Sequence, residues 1–468
     1  MKLSFHTIVV NDYPAKGEHL LYNTRTQAMV KIDQELKDIL DNPSNEIDTL
    51  PSIQRNNIQQ LHKMGIVVQD ESEDFSRLRA HMQQLKYSYD DSCLGVTILT
   101  TYGCNFKCVY CFEESTRTNQ KMDFSTQTRV IEWIKDRLLK GKYKGLYLNF
   151  YGGEPLLNPK AIDDISKSMV NWCSIHGVEF GFGLQTNGYL LTPTIVERFK
   201  KLGLTRVRIS LDGVGEDHDR LRPLRNGGGT FGRIMQNIEN SVGKIEIALS
   251  MGYSNNDIEP IKRLLDYLDE RGILHKLGGQ ILFSPIVPTV GPKGNPEAII
   301  GSDCMCNSND KSLADSVRKI EALMKEKALP TKSGMSTSTC PLVRENGAVT
   351  IDQEGKLYRC NSLLGHPEFS VGDIFHEGFN EKHKEFRDLD VWQQCPQDCT
   401  YLPMCSGGCR LMSFVGGNKN FRVPSCKKPY LNEMAPEFIK RDYERMVAEK
   451  RKIDQSSHSH KKIAAVDS

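Results

Sequence analysis

The 468-residue sequence lacks any apolar run approaching the roughly 20 residues that a membrane-spanning helix needs. The first residues, Met1 to Val10, do not contain the long apolar core of a secretory signal. A net charge of only +2 gives no reason to expect nucleic acid or a membrane surface as a partner. These absences predict a cytoplasmic protein, and the length predicts about three domains at roughly 150 residues each.

Cysteine, in contrast, is abundant, with 14 residues. A long chain in a reducing compartment uses cysteine more often for metal ligation than for disulfides. Ten of the cysteines fall in two groups, 104–111 and 340–426, which predicts two metal-binding regions. Cys93 and Cys173 stand apart and are predicted to be ordinary thiols.

The first group is the segment Cys104-Asn-Phe-Lys-Cys108-Val-Tyr-Cys111, which follows a strand-like stretch at 94–100. Three thiolates leave one coordination position of a metal centre open, and an open position is where chemistry takes place. With Tyr110 before the last cysteine, this spacing resembles the radical S-adenosylmethionine (SAM) superfamily. The resemblance implies a [4Fe–4S] cluster on the three thiolates and SAM on its fourth iron. A zinc loop or an accidental cluster of cysteines is the alternative.

Residues 1–75 are predicted to form a separate unit. It would contain strands at 18–22 and 28–32, a helix capped by Asp33, a helix at about 51–64 and a closing strand at 66–68. This order resembles the winged-helix modules that recognise leader peptides in peptide-maturation enzymes. The resemblance implies that an edge strand takes up a precursor peptide by strand addition, and a plain structural cap is the alternative. Residues 76–93 would be a helical linker.

Strand-like and helical segments alternate from 94 to about 288, within a domain predicted at 94–309, which predicts parallel strands with helices outside them. The fold class is therefore α/β. Six repeats fall short of the eight of a closed barrel, and the partial (β/α)6 barrel is the fold that the resemblance implies. The predicted strands are 94–100, 146–151, 179–185, 206–211, 245–251 and 280–284.

Small and polar residues follow three of these strands. The segment Tyr151-Gly152-Gly153-Glu154-Pro155 resembles the motif with which the family binds the amino group of SAM, and its glycines allow close backbone approach. By the same resemblance Ser210 would contact the ribose of SAM and Arg222 would help to bind SAM. Asn187 and Asp212 are further candidates, and the alternative for them and Arg222 is a strand-end cap or turn.

The second cysteine group resembles the SPASM domain, which carries auxiliary [4Fe–4S] clusters in peptide and protein maturases. We predict this domain at 310–430, followed by a helix and a disordered tail at 431–468. The family pattern implies one cluster on Cys395, Cys399, Cys405 and Cys426, and another on Cys340, Cys360 and Cys409. The spacing of Cys395 and Cys399 is one residue longer than usual. The second set lacks a fourth ligand, which Cys304 or Cys306 would supply, unless one iron stays open to substrate.

The resemblance covers roughly residues 94–430 and implies an enzyme that cleaves SAM to a 5′-deoxyadenosyl radical and abstracts hydrogen from a ribosomal precursor peptide. A low-potential donor of the flavodoxin or ferredoxin type would supply electrons. Sulfatase maturases carry an aspartate base where this chain has Asn361, which favours a thioether or carbon–carbon crosslink over formylglycine. Cys304 or Cys306 keeps epimerisation open, as hydrogen-atom donor. A sulfatase-type maturase and a non-enzymatic iron–sulfur or zinc protein are the alternatives.

Overall fold

The computed structural model describes residues 1–42, 49–90, 92–254, 257–277, 281–287, 290, 311–331, 334–337, 339–417 and 419–463. None of the helices within these ranges has the length and apolar character needed to cross a membrane. Two predicted candidates, Cys304 and Cys306, lie outside the described residues.

The N-terminal unit is built on a three-stranded antiparallel sheet in the order β2-β3-β4. The side chain of Asp33 caps the first helix by accepting a hydrogen bond from the Leu36 amide at 2.9 Å, as predicted. A short strand pair closes the unit, and a long helix leads out of it. The elements are β1 (Lys2–Leu3), β2 (Thr7–Val10), β3 (Glu18–Asn23), β4 (Met29–Asp33), α1 (Gln34–Asp41), α2 (Ser52–Lys63), β5 (Val67–Val68) and α3 (Glu71–Tyr87).

Six parallel strands follow in sequential order, and each lies within two residues of its predicted bounds. Alternate side chains of these strands are apolar and buried in one core with the covering helices. The side chains on the other face, among them Asn149, Arg208 and Ser210, are polar and only partly buried. The described strands do not close on themselves, so the partial barrel is confirmed. The strands are β6 (Cys93–Leu99), β7 (Gly145–Tyr151), β8 (Glu179–Thr186), β9 (Leu204–Ser210), β10 (Glu246–Tyr253) and β11 (Ile281–Pro285).

Amphipathic helices connect these strands and cover the sheet. One example is α6, where Thr192 accepts from the Ile195 amide at 3.4 Å, Pro193 occupies the first turn, and Val196 and Phe199 are buried. The helices are α4 (Phe124–Gly141), α5 (Pro159–His176), α6 (Pro193–Lys200), α7 (Glu216–Leu221), α8 (Phe231–Ser241) and α9 (Glu259–Glu270).

The C-terminal region does not fold apart from the barrel. Two short strands from it, β12 (Val349–Ile351) and β13 (Leu357–Tyr358), extend the barrel sheet, and β12 pairs in parallel with β6. One continuous apolar core runs from the barrel into this region. The remaining helices are α10 (Lys311–Glu326), α11 (Glu381–Arg387), α12 (Leu402–Cys405), α13 (Arg410–Gly416) and α14 (Lys428–Ile463).

The last helix, α14, continues to Ile463 and so enters the segment from Ser456 that we predict to be a disordered tail. An established helix extends by one hydrogen bond per residue and needs no new nucleation step. Residues 464–468 lie outside the described part of the chain.

The N-terminal unit is also joined to the C-terminal region, which the sequence did not indicate. Its sheet packs Ile8, Leu20 and Tyr22 against a buried cluster that includes Met404 and Phe438. The two regions are also joined by hydrogen bonds, since Thr24 Oγ1 donates to the Thr400 carbonyl at 2.6 Å. The unit therefore cannot be removed without exposing apolar surface.

Candidate functional site

A cavity of about 360 Å³ opens at the carboxyl ends of the parallel strands. Ligands of open α/β sheets bind at this edge, because the loops after the strands converge there. All but one of the predicted residues of the radical SAM site line this cavity. They are Cys104, Cys108, Cys111, Gly152, Gly153, Asn187, Ser210, Asp212 and Arg222.

The three cysteines lie on the irregular loop after β6, as predicted. Burial raises the pKa of the Cys111 thiol to about 12, so a thiolate there needs a compensating positive charge. Arg117 supplies part of it, since its Nη2 donates to Cys111 Sγ at 3.0 Å. Arg117 could not be identified from the sequence, because no spacing rule connects it with the cysteines.

Gly152 and Gly153 bring the β7–α5 turn directly against the cysteine loop. The amide of Gly153 donates to the Thr101 carbonyl at 3.1 Å. A Cβ atom on Gly153 would lie 2.4 Å from the Gly103 oxygen, and Gly152 has a φ of +145° that L side chains rarely adopt. Both positions therefore require glycine, one for space and one for conformation.

Glu154, which the resemblance assigns to the amino group of SAM, is fully buried and hydrogen-bonded within the protein. Its Oε2 accepts from the Asn187 amide at 2.8 Å, and its Oε1 accepts from Thr186 Oγ1 at 2.8 Å and from the Leu156 amide at 3.0 Å. The carboxylate thus joins the end of β7 to the end of β8. These bonds position the two strand ends, and Gly152 and Gly153 beside Glu154 line the cavity.

Asn187 joins β8 to the cysteine loop. Its Nδ2 donates to Asn105 Oδ1 at 2.8 Å, and its own Oδ1 accepts from the Tyr189 amide at 3.0 Å. Ser210, the last residue of β9, lines the neighbouring wall of the cavity.

Tyr110, Asp212 and Arg222 form a hydrogen-bonded triad on that wall. The Tyr110 hydroxyl donates to Asp212 Oδ2, and Arg222 Nη1 donates to the Tyr110 oxygen at 2.7 Å. Arg222 Nη1 also lies 3.3 Å from Asp212 Oδ2, so the two charges compensate each other. The pairing compensates the cost of burying a carboxylate and a guanidinium in this wall. In the sequence, Tyr110 is recognisable only as an aromatic neighbour of Cys111.

His218 supports this wall from behind and is fully buried. The Asp212 amide donates to His218 Nδ1 at 3.0 Å, which requires a neutral imidazole at that nitrogen. Burial, together with the charge of Arg222, lowers the pKa of His218 to about 4.

This shift predicts a loss of stability in mild acid. The unfolded chain, with an ordinary histidine pKa of 6.5, binds more protons than the folded chain between pH 6.5 and about 4, so stability falls as the pH falls. Between pH 7 and pH 5 the loss is about 2 kcal/mol. We expect His218→Asn, which keeps an acceptor and does not titrate, to lose correspondingly less in urea unfolding. Equal losses of unfolding free energy in wild type and variant would show that His218 does not cause the pH dependence.

The seven C-terminal cysteines form two groups of electrostatic neighbours, Cys340, Cys360 and Cys409 in one and Cys395, Cys399, Cys405 and Cys426 in the other. Burial raises the pKa of Cys340 to about 12, and the neighbouring charges of Cys409 and Cys360 add to the shift. Burial likewise raises the pKa of Cys395 to about 11, and the charges of Cys405, Cys399 and Cys426 add to the shift.

Arg410, another residue missed from the sequence, lies between the two sets and is buried. Its Nη1 donates to the Phe421 carbonyl at 2.9 Å and its Nη2 to the Gly408 carbonyl at 3.1 Å. These bonds hold the loop that carries Cys426 against the loop that carries Cys409.

Among the described residues, no three thiol, imidazole or carboxylate groups converge closely enough to share one metal ion.

Comparisons with known proteins agree with this site. The family model of the Radical SAM superfamily matches residues 98–268. GTP 3′,8-cyclase of Clostridium botulinum is 30% identical over 174 residues, which are 36% of this chain and 51% of the cyclase. The chain spans about half the length of the curated relatives that it matches at 30% identity or more.

Two further matches extend beyond the barrel. The cysteine-type anaerobic sulfatase-maturating enzyme of Clostridium novyi is 24% identical over 335 residues, which are 66% of this chain and 85% of that enzyme. The solved structure of native anSMEcpe with bound AdoMet and Cp18Cys peptide aligns with 74% of this chain and 98% of its own, with a TM-score of 0.57 and 17% identity. That likeness concerns the fold. From the cysteine loop, the strand-end cavity and the family match together, we conclude that residues 98–268 form a domain of the radical SAM superfamily.

Proposed function

We propose that this chain is a radical SAM enzyme that modifies a ribosomally made precursor peptide. The observation that carries the proposal is the cavity at the carboxyl ends of the strands, where three thiols face the Gly152–Gly153 turn. When bound, the [4Fe–4S] cluster and SAM supply the reductive cleavage that yields methionine and a 5′-deoxyadenosyl radical, which abstracts hydrogen from a C–H bond.

The residues present fit both cofactors. Cys104, Cys108 and Cys111 would hold three irons, and Arg117 would balance the negative charge of the cluster. The glycine turn offers backbone groups at close range, where SAM would lie. The polar residues of the remaining wall would orient the nucleoside and methionine portions of SAM. They are Asn187, Ser210, Asp212 and Arg222.

Two auxiliary [4Fe–4S] clusters would occupy the C-terminal cysteine sets. One would be held by Cys395, Cys399, Cys405 and Cys426, and the other by Cys340, Cys360 and Cys409. Cys304 or Cys306 remains the proposed fourth ligand of the latter, or a hydrogen-atom donor. These clusters would take the electron released from the substrate, or bind the substrate itself.

The product that we favour is a crosslink, such as a thioether or carbon–carbon bond. Asn361 precedes Ser362, which lines the cavity, and its Oδ1 accepts from Thr350 Oγ1 at 2.6 Å. A neutral amide held in this way takes no proton from a substrate. Formylglycine formation, which needs a base at this position by the family pattern, is therefore disfavoured.

A sulfatase-type maturase is the second candidate, because the match to the Clostridium novyi enzyme covers most of that enzyme. Reconstituted protein incubated with a sulfatase peptide and with precursor peptides encoded nearby separates the candidates by mass spectrometry. Oxidation of the sulfatase cysteine to an aldehyde would favour the second candidate, and loss of two hydrogens from a precursor peptide would favour the first.

The N-terminal unit offers a place for the leader segment of such a peptide. Strand β4 pairs only with β3 among the described strands, so its outer edge is open. A groove of about 220 Å³ lies between this edge and α2, lined by apolar and polar side chains that include Val30, Leu61 and Gln60. An extended peptide would pair with the edge and place alternate side chains in the groove.

Lys31 allows a selective test of this edge. In the β3–β4 ladder the Asn23 amide donates to the Ala28 carbonyl, so this pair is hydrogen-bonded. Hydrogen-bonded and non-hydrogen-bonded pairs alternate along an antiparallel ladder, and Lys31, opposite Leu20, falls in a non-hydrogen-bonded pair. The amide of Lys31 therefore points away from β3, toward the open edge. Proline at this position removes the outward N–H and leaves the β3–β4 ladder intact. We expect Lys31→Pro to weaken leader-peptide binding at least tenfold (roughly 1.4 kcal/mol) in fluorescence anisotropy.

Lys31→Ala is the matched control, because it removes the ion pair with Glu18 and keeps the amide. An exposed pair contributes little, so we expect binding within about twofold of wild type. Equal affinities of the proline and alanine variants would contradict strand addition and favour a structural cap. Deleting residues 1–75 would expose apolar surface, because this unit shares an apolar core with the C-terminal region. Point variants at the strand edge avoid that disruption.

A further inference from the structure

The stretch from Cys399 to Asn432 contains no acidic residue and five basic ones. One of these, Arg410, is buried and bonded to backbone carbonyls. The other four follow within ten residues of one another, around the cysteine that ends the second auxiliary set. They are Lys419, Arg422, Lys427 and Lys428, and we call them the basic face.

Within the described residues, none of the four is paired with a carboxylate. Val423 lies among them with 41% of its surface exposed, and Cys426 is itself exposed. The nearest acidic residues along the chain are Asp398, which is exposed, and Glu433, which is paired with Arg318. The chain therefore presents unpaired cations around an apolar residue and an exposed cluster ligand.

We propose that the basic face docks an acidic one-electron carrier protein and that this carrier exchanges electrons with the cluster on Cys395, Cys399, Cys405 and Cys426. The inference rests on the proposed function, because it requires that cluster. One electron leaves the reduced carrier, which is oxidised by one electron, and reduces the cluster; no bond forms or breaks.

Charge complementarity supports a protein carrier as the occupant. Transient electron-transfer complexes have small interfaces that are steered by opposite charge, and four cations around one apolar contact suit such an interface. The accessibility of the cluster ligands to a partner protein supports the same docking location. Cys426 is exposed, whereas Cys104, Cys108 and Cys111 are partly buried and line the cavity that SAM and substrate would fill.

The test compares two double charge reversals in the fully reconstituted protein. Arg422→Glu with Lys428→Glu alters the basic face. Lys201→Glu with Lys244→Glu is the control, since both residues are exposed and precede β9 and β10 at the opposite end of the barrel. Neither pair includes a cysteine or a cavity residue, and the iron content checks the integrity of each variant.

The probe is an acidic bacterial flavodoxin, whose affinity for the variants is measured by calorimetry and whose hydroquinone reduces the clusters in stopped flow. We expect the basic-face variant to bind at least ~10-fold more weakly and to be reduced correspondingly more slowly at low salt, with the control near wild type. The difference should shrink at high salt, where the Debye length is roughly 3 Å. Equal affinity of both variants for flavodoxin would overturn the proposal. A cationic surface can also bind nucleic acid, so an oligonucleotide is tested as a second probe. If the basic-face variant lost affinity for the oligonucleotide but not for flavodoxin, the proposal would likewise be overturned.

Dithionite separates this inference from the proposed function. It reduces clusters without docking, so nucleoside release driven by dithionite should be the same in both variants and in wild type. No nucleoside from any of the three would refute the proposed function, whereas a flavodoxin-specific defect would support the docking face.

Discussion

Replacing Cys104 with alanine is expected to reduce 5′-deoxyadenosine release to background. The cluster that activates SAM needs at least three thiolate ligands. The two that remain in this variant, Cys108 and Cys111, cannot hold the cluster in an open cavity. The measurement is nucleoside release after anaerobic reconstitution and reduction with dithionite. Iron should fall by about four atoms from the eight to twelve of two or three four-iron clusters.

Cys93→Ala provides the control, because Cys93 is an exposed thiol at the start of β6 and does not line the cavity. We expect its nucleoside release and iron content to match wild type. A wild-type protein that binds zinc in place of iron and releases no nucleoside would overturn the proposed function and leave the cysteines a structural role.

The second large effect is expected for Gly153→Ala. The new methyl group would lie 2.4 Å from the Gly103 oxygen and 2.5 Å from the Tyr102 oxygen, and neither backbone atom can move without shifting the cysteine loop. A displacement of about 1 Å at a reacting centre costs on the order of 100-fold. We therefore expect SAM binding, measured by equilibrium dialysis on the reconstituted protein, to weaken about 100-fold.

Gly232→Ala is the matched glycine replacement. Gly232 lies in α8 with no atom within 4 Å of the position of a Cβ, so alanine should be neutral or slightly stabilising. If Gly153→Ala bound SAM within threefold of the Gly232 variant, the glycine turn would not be the SAM cradle. Circular dichroism of both variants checks that the barrel remains folded.

The barrel could be predicted because each of its elements carries a local signal. Thr192 and Pro193 mark the start of α6, and the apolar segment before Tyr151 marks β7. The site residues follow from the same signals, since side chains at the ends of parallel strands must meet at one edge. Long-range hydrogen bonds could not be predicted in this way, as for Glu154, whose carboxylate accepts from Thr186 and Asn187.

Other features had no local signal at all. The three residues of β12 find their partner, β6, some 250 positions earlier in the chain. Arg117 and Arg410 look like ordinary basic residues in the sequence, and only the fold brings them against thiols. The contact of the N-terminal unit with the C-terminal region likewise depends on side chains such as Tyr22 and Phe438, which any core could contain.

The pairing of β12 with β6 has a consequence for the distance between the two cysteine regions. Cys104 follows the end of β6 by five residues, and Cys360 follows the end of β13 by two. Strand β12 lies between β6 and β13 and pairs with both, so the two cysteines extend from strands of one hydrogen-bonded sheet. A sheet resists stretching across its strands far more than a hinge between domains does. If the proposed function holds, the separation between the SAM-binding cluster and the auxiliary cluster is therefore a fixed length, and an electron crosses the same distance in every turnover.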